Sequence, residues 1–185
     1  PYSSGLGGGG FFLLHRASDG FEVMIDAREK APLDANRDMY LDADGKPQAQ
    51  LALEGAKAAA IPGLPAGLAW LAQRYGRLPL REALQPAIRL AQKGFEIDER
   101  FLAMATMKLP LLRKTPEIES IFLDSGQMPK PRYRLSQPEL AQTLSTLGDE
   151  GHKGFYGGHV ALRLVKSVRD YGGIWQMDDL AQYHV

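Results

Sequence analysis

The chain has 185 residues, 44% of them hydrophobic and 24% charged, which is ordinary for a folded globular protein. Its 22 lysine and arginine residues balance 22 aspartate and glutamate residues, so the net charge argues against nucleic acid or an anionic membrane as partner, since both need a basic surface. No cysteine is present, which excludes disulfides, thiolate metal sites and cysteine nucleophiles, and no apolar run approaches the roughly 20 residues that span a bilayer.

The chain begins with a predicted β-hairpin. Residues 11–15 and 21–25 are apolar strand patterns, and the turn residues 17–20 separate them. The first strand is apolar on both faces, so we expect it to be covered on both sides. A polar connection at residues 33–55 follows, and residues 56–61 are predicted to form a short buried strand.

Helices dominate the remainder of the chain. Gly76, Gly94 and the Gly172-Gly173 pair are predicted helix ends, and Pro86 is predicted to kink its helix or to start a second segment. We predict helices, in chain order, at residues 66–75, at 80–93, from a cap at Asp98 through Leu109, from Thr115 to Leu123, after a capping box at 136–139 with a leucine stripe at Leu140, Leu144 and Leu147, and at 160–171.

A single arginine is the clearest candidate for a ligand-binding residue. Arg28 lies at the end of the second strand pattern, within D-A-R-E-K-A-P at residues 26–32. Its planar fork of donors matches the two oxygens of a carboxylate, so its place between acidic neighbours suits binding of a carboxylate ligand. The alternative is an internal ion pair between Arg28 and Asp26 on the same strand face.

Other motifs favour structural interpretations. The glycines of residues 5–10 fit G-x-G-x-x-G, but a strand follows them where a nucleotide-binding loop needs a helix, so we predict a close approach of backbone segments. A nucleotide-binding protein would instead show affinity for NAD or FAD. The turn at residues 42–45 lacks the spacing of a calcium loop. His152 and His159 lack a carboxylate at zinc-ligand spacing. The acidic pairs at 149–150 and 178–179 suit solvated or capping positions rather than a general acid/base pair.

Blocks along nearly the whole chain resemble the large subunit of gamma-glutamyltranspeptidases, in that family's order. They include the glycine-rich S-G-L-G-G-G-G-F at 4–11, the arginine motif at 26–32, D-M-Y at 38–40 with D-G at 44–45, I-P-G-L-P-A-G-L at 61–68, Y-G-R-L-P at 75–79, P-A-I at 86–88, Q-P-E-L-A at 137–141, G-F-Y-G-G at 154–158 and D-L-A-Q-Y at 179–183.

The resemblance implies an α+β fold of the N-terminal-nucleophile hydrolase type. That fold is an αββα sandwich which two subunits build jointly, and this chain would supply an incomplete, helix-rich part of it. Residues 1–185 would then be a single partial domain, and both ends read as cuts through a larger fold. The small subunit of the same precursor is the implied protein partner.

The resemblance also implies a reaction and a role for Arg28. A threonine at the start of the small subunit, outside this chain, would cleave gamma-glutamyl amides such as glutathione through an acyl-enzyme. This chain would contain no catalytic residue, no metal site and no cofactor, and alone it would be inactive. Arg28 would bind the α-carboxylate of the gamma-glutamyl substrate, with Asp26 and Glu29 supporting it. Bacterial relatives imply a periplasmic or secreted location.

Two alternatives stay open from the sequence. Within the same family, the protein could be a cephalosporin-type acylase that accepts glutaryl-like amides. From a different class, it could be a non-catalytic binding module.

Overall fold

The secondary structure consists of short strands and a larger number of helices. A computed structural model describes residues 5–185. The strands in that range are β1 (Gly10–Arg16), β2 (Phe21–Ala27), β3 (Phe95–Glu96) and β4 (Arg134–Leu135). The helices there are α1 (Leu64–Tyr75), α2 (Leu80–Lys93), α3 (Glu99–Met107), α4 (Leu109–Leu112), α5 (Pro116–Phe122), α6 (Pro138–Glu150), α7 (His152–Tyr156), α8 (Gly158–Asp170) and α9 (Met177–Ala181).

Contacts divide the described chain into two compact units. One unit comprises Arg81–Ser145, and the other comprises residues 5–80 and Thr146–Val185. The result is a helix-rich α+β chain with two small antiparallel sheets, β1 with β2 and β3 with β4. The prediction of one partial domain over residues 1–185 stays a prediction. None of the helices in residues 5–185 is both long enough and apolar enough to span a bilayer.

The predicted hairpin is confirmed. Strands β1 and β2 pair in antiparallel register, with Phe11 opposite Asp26 and Leu13 opposite Met24. Helix α1 packs on the inner face, where a Cβ at Gly67 would lie 2.7 Å from Ala27 Cβ. Because the close approach needs a residue without a side chain, Gly67 lets α1 pack directly on the strand that leads to Arg28.

The outer face of the hairpin differs from the prediction. Phe11, Leu13 and Met24 are 59%, 85% and 56% exposed, so residues 5–185 cover β1 on one face only and not on both as expected. Side chains alternate between the two faces of a strand, and within the described residues α1 covers the inner one. We refer to these three side chains as the outer apolar face.

The predicted strand at residues 56–61 is also wrong. Residues Ala56–Ala58 form a 3₁₀ turn, and Ile61 alone pairs, exchanging two backbone hydrogen bonds with Lys30 at 2.8 and 3.2 Å. The carbonyl of Ala59 accepts from Trp175 Nε1 at 2.9 Å. The Trp175 side chain therefore supplies the hydrogen bond to the Ala59 carbonyl that a neighbouring strand was expected to supply.

Between residues 80 and 150 the predicted helices are present with one change of boundary. Helix α2 continues through Pro86, because both Pro86 and Glu82 are exposed and water can bond the carbonyl that proline leaves free. Helix α3 stops at Met107, and Leu109 begins α4 beside Pro110, a residue type suited to a first helical turn. The small sheet of β3 and β4 was not predicted.

Asp98 is the predicted cap of α3, and its Oδ1 accepts from the backbone N–H of Phe101 at 2.7 Å. We expect Asp98→Ala to lower the free energy of unfolding by about 1 kcal/mol, because that amide loses its acceptor. Asp98→Asn keeps an acceptor and is the matched control. Denaturant unfolding of the full-length protein checks this, and equal losses in the two variants would contradict the capping role.

The core of the second unit contains two buried, stacked tyrosines, Tyr156 and Tyr183. Its most deeply buried large side chains include Leu147, Leu180 and Tyr183, with Phe155 and Tyr156 of α7 beside them. Helix α8 begins at Gly158, and its residues Ala161 and Val165 are buried.

A buried carboxylate caps the start of α9. Asp179 accepts from the backbone amides of Gln176 and Leu33, each at 2.6 Å. The capping role predicted for the acidic pair at 178–179 is therefore confirmed at Asp179.

Candidate functional site

Arg28 stands one residue beyond β2, where the chain leaves the hairpin. Its backbone N–H donates to Asp26 Oδ1 at 2.9 Å, and its carbonyl accepts from the Tyr183 hydroxyl at 2.7 Å. Two residues later, Lys30 is paired with Ile61. The backbone on both sides of Arg28 is therefore tied to neighbouring segments, while the side chain is 67% exposed.

The guanidinium of Arg28 pairs with Glu29. Its Nε lies 3.4 Å from Glu29 Oε2. The alternative of an ion pair with Asp26 is wrong, because the Asp26 carboxylate turns back to the Arg28 backbone amide. A guanidinium has five N–H donors, so the contact through Nε leaves donors for a second carboxylate.

The glycine run packs directly against this turn. A Cβ at Gly9 would lie 2.5 Å from the Ala27 carbonyl oxygen and 2.9 Å from Glu29 Oε2. The carbonyl of Gly8 accepts from the amides of Gly63 and Leu64, at 3.0 and 2.9 Å, at the start of α1. The predicted close approach of backbone segments is therefore confirmed at Gly8 and Gly9, whereas a Cβ at Gly5, Gly7 or Gly10 would meet no described atom within 4 Å. Ser4, which precedes the run, lies outside the described residues.

Arg28 and Glu29 line an open cleft of about 570 Å³. The other lining residues are Gly7, Ala58, Ala59, Ala60 and Trp175. The wall is thus made of small residues and one buried indole, and the charged groups Arg28 and Glu29 stand together on it. A small molecule with a carboxylate could enter this cleft and reach the guanidinium.

The sequence model described as Gamma-glutamyltranspeptidase matches residues 1–185. The chain belongs to the gamma-glutamyltranspeptidase family. It is 40% identical over 185 residues to glutathione hydrolase 3 of Arabidopsis thaliana, and 38% identical over 184 residues to a glutathione hydrolase proenzyme of Pseudomonas sp. strain A14. The matches cover 100% and 99% of this chain, but 28% and 32% of those proteins.

A solved structure of the same family agrees with the fold. The chain superimposes on gamma-glutamyltranspeptidase of Helicobacter pylori with a TM-score of 0.95 and 34% identity, covering 100% of this chain and 53% of that one. The resemblance of the sequence blocks to gamma-glutamyltranspeptidases is therefore confirmed. The chain spans about half of that solved chain and less than a third of the two curated relatives.

Two further polar side chains among the described residues, His152 and Asp42, have structural partners. His152 Nε2 donates to the Tyr183 carbonyl at 2.9 Å, and its ring stacks 4.3 Å from that of Tyr156. Asp42 accepts from the backbone amides of Asp44 and Lys46, as in an Asx turn. Within residues 5–185, no three histidine, aspartate or glutamate side chains come together as metal ligands would.

Two residues beside the site were not singled out for chemistry from the sequence. Tyr183 bonds the Arg28 carbonyl, and Gly63 lies so close that a Cβ there would be 2.3 Å from the Tyr183 hydroxyl oxygen. Both fall within blocks that resemble gamma-glutamyltranspeptidases. No local pattern indicates the contact, because 155 residues separate Tyr183 from Arg28.

Proposed function

We propose that the full-length protein carrying this chain is a gamma-glutamyltransferase or hydrolase acting on gamma-glutamyl amides such as glutathione. The observation that carries the proposal is the Arg28 guanidinium, exposed beside a cleft of about 570 Å³ in a chain of this family. A gamma-glutamyl group has an α-carboxylate that a guanidinium can bind through two parallel hydrogen bonds. The names of the two curated relatives support the substrate class.

In this proposal, the three neighbouring residues divide the work of substrate binding. Arg28 binds the α-carboxylate and thereby orients the gamma-carbonyl toward a nucleophile. Glu29 holds the guanidinium through Nε, and Asp26 fixes the turn through the Arg28 amide. None of the three takes part in bond breaking, so this chain supplies binding and no catalytic residue.

The proposed nucleophile is a threonine at the start of a small subunit from the same precursor. Its hydroxyl oxygen bonds the gamma-carbonyl carbon, the bond from that carbon to nitrogen breaks, and the hydroxyl proton reaches the leaving amine through the threonine α-amine. Water or an acceptor amine then attacks the ester and restores the hydroxyl. These steps use no metal and no cofactor, and the chain alone would be inactive.

We propose that the rest of the precursor completes an αββα sandwich around this chain as one partial domain. The outer apolar face supports this, because three large exposed hydrophobic side chains on one hairpin suit coverage by another sheet. The Pseudomonas relative is named a proenzyme, which agrees with self-cleavage into two subunits. By family analogy, we propose a periplasmic or secreted location.

Three chromogenic anilides test the proposal with the full-length protein. The gamma-glutamyl anilide carries both the α-carboxylate and the α-amine, the 4-aminobutyryl anilide lacks the carboxylate, and the glutaryl anilide lacks the amine. We expect the gamma-glutamyl compound to have the highest kcat/KM. Loss of the carboxylate should lower it roughly 10²–10³-fold, because Arg28 would then lack its partner.

Other outcomes of this assay identify the alternatives. Equal turnover of the gamma-glutamyl and 4-aminobutyryl compounds would remove the carboxylate clamp from the proposal. Preference for the glutaryl compound would identify an acylase. A full-length protein that stays uncleaved and turns over none of the three would be a binding module.

A further inference from the structure

The direction of the Arg28 side chain depends mainly on its backbone. The side chain is 67% exposed, and its ion pair with Glu29 spans 3.4 Å. Exposed ion pairs of this kind hold a side chain weakly. The backbone around Arg28 must therefore supply much of the order that a fixed carboxylate clamp needs.

Hydrogen bonds hold the backbone of Arg28 on both sides. Asp26 Oδ1 accepts from its amide at 2.9 Å, and the Tyr183 hydroxyl donates to its carbonyl at 2.7 Å. The first bond fixes the peptide plane before Arg28 and the second fixes the plane after it. Together they limit φ and ψ of Arg28, and so the direction in which its Cβ leaves the chain.

Tyr183 is itself held rigidly. It is 1% exposed, and its ring stacks at 5.3 Å from that of Tyr156 with an angle of 14° between the planes. The Lys30 ammonium lies 4.8 Å from the ring centroid, and the Tyr183 carbonyl accepts from His152 Nε2. Burial raises the pKa of Tyr183, and the charges of Asp26 and Glu29 act in the same direction. The hydroxyl consequently remains a donor at neutral pH.

Gly63 leaves the space in which the Tyr183 hydroxyl reaches the Arg28 carbonyl. A Cβ at Gly63 would lie 2.3 Å from the Tyr183 hydroxyl oxygen and 2.1 Å from the Ala27 carbonyl oxygen. Any other residue at this position would fill the space through which the hydroxyl reaches the Arg28 carbonyl. The hydrogen bond from Tyr183 to Arg28 therefore depends both on the packing of the Tyr183 ring and on the absence of a side chain at Gly63.

We propose that Tyr183 is a positioning residue for Arg28, whose hydroxyl fixes the backbone from which the guanidinium meets the substrate carboxylate. This inference rests on the proposed function of Arg28. A residue that acts only through Arg28 should affect substrates that carry the carboxylate and spare those that lack it.

Tyr183→Phe in the full-length protein tests the inference, because it removes the hydroxyl and keeps the stacked ring. We expect kcat/KM for the gamma-glutamyl anilide to fall about 2–12-fold, the range for one neutral hydrogen bond. Turnover of the 4-aminobutyryl anilide should be unchanged. In an Arg28→Ala background, adding Tyr183→Phe should cause no further loss for either compound.

Tyr156→Phe is the matched control. The Tyr156 hydroxyl is also buried in this stack, but it donates to the Pro62 carbonyl at 2.7 Å and accepts from the Ala66 amide at 3.2 Å. Because two bonds are lost, Tyr156→Phe should lose at least as much thermal stability as Tyr183→Phe while keeping the preference for the carboxylate-bearing compound. An equal loss of that preference in both variants would reduce Tyr183 to a general structural role and overturn the inference.

A measurement without substrate separates this inference from the proposed function. Hydrogen exchange of a peptide spanning residues 26–32 should be faster in Tyr183→Phe than in the wild type or Tyr156→Phe. Unchanged exchange would overturn the inference even if Arg28 proves essential. Arg28-independent or absent turnover refutes the proposed function, and faster exchange would then still support the backbone restraint.

Discussion

Replacing Arg28 by alanine in the full-length protein is expected to lower kcat/KM for a gamma-glutamyl anilide about 10²–10³-fold. That corresponds to roughly 3–5 kcal/mol of lost binding in the transition state. The loss is large because a substrate filling the cleft of about 570 Å³ would displace water from both charges. Removing the guanidinium would then leave the substrate carboxylate without a partner. Steady-state kinetics of the purified full-length protein measures the effect.

Arg28→Lys is the matched variant, since it keeps the positive charge and loses the planar fork. We expect it to retain only part of the activity, because an ammonium cannot make the two parallel hydrogen bonds of a guanidinium. Neither variant should alter turnover of the 4-aminobutyryl anilide. An identical loss with that compound would show that Arg28 does not act on the carboxylate.

Gly63→Ala is expected to destabilise the full-length protein by about 3 kcal/mol or more. Gly63 has φ −112°, which alanine can adopt, so the penalty comes from lack of space. The new Cβ would lie 2.1 Å from the Ala27 carbonyl oxygen and 2.7 Å from its carbonyl carbon, which are backbone atoms of a paired strand. Such overpacking forces the backbone to shift. Denaturant or thermal unfolding gives the change in stability.

Gly10→Ala is the control for this prediction. A Cβ at Gly10 meets no described atom within 4 Å, and we expect its effect on unfolding to stay within about 0.5 kcal/mol. A Gly63→Ala protein as stable as Gly10→Ala would show that the loop and strand can separate at little cost. The close approach would then have no role in holding the Arg28 turn.

Local patterns predicted most of the helices and the hairpin. Asp98 marks a helix start through its side-chain acceptor, and Gly94 marks a helix end through its positive φ, so a short window of sequence contains the information. Residues 56–61 failed the same reasoning, because the bond from Trp175 to Ala59 comes from 116 residues away. The exposed Phe11 and Leu13 failed for another reason: an apolar pattern indicates that a face can be buried, not what covers it.

In the candidate site, too, local sequence indicates some features and only the folded structure shows the others. Arg28 could be singled out as a candidate because an arginine between acidic residues at a strand end is suited to binding a carboxylate. Its partner could not be assigned correctly, since Asp26 and Glu29 are both adjacent and only the geometry shows that Glu29 takes the guanidinium. Tyr183 and Gly63 meet Arg28 and Ala27 through the folded chain, and no spacing rule connects them.

The separation between Arg28 and Tyr183 also sets a time scale for biosynthesis. A ribosome that adds about 5–20 residues per second needs roughly 8–30 s to travel from one to the other, because their sequence separation is 155. Local contacts form within microseconds, so the β1–β2 hairpin can close long before Tyr183 is synthesised. During that interval the nascent chain exposes Phe11 and Leu13, and the Arg28 carbonyl lacks its bond from Tyr183. The candidate site is therefore among the last parts of this chain to be completed, although its arginine is among the first to be made.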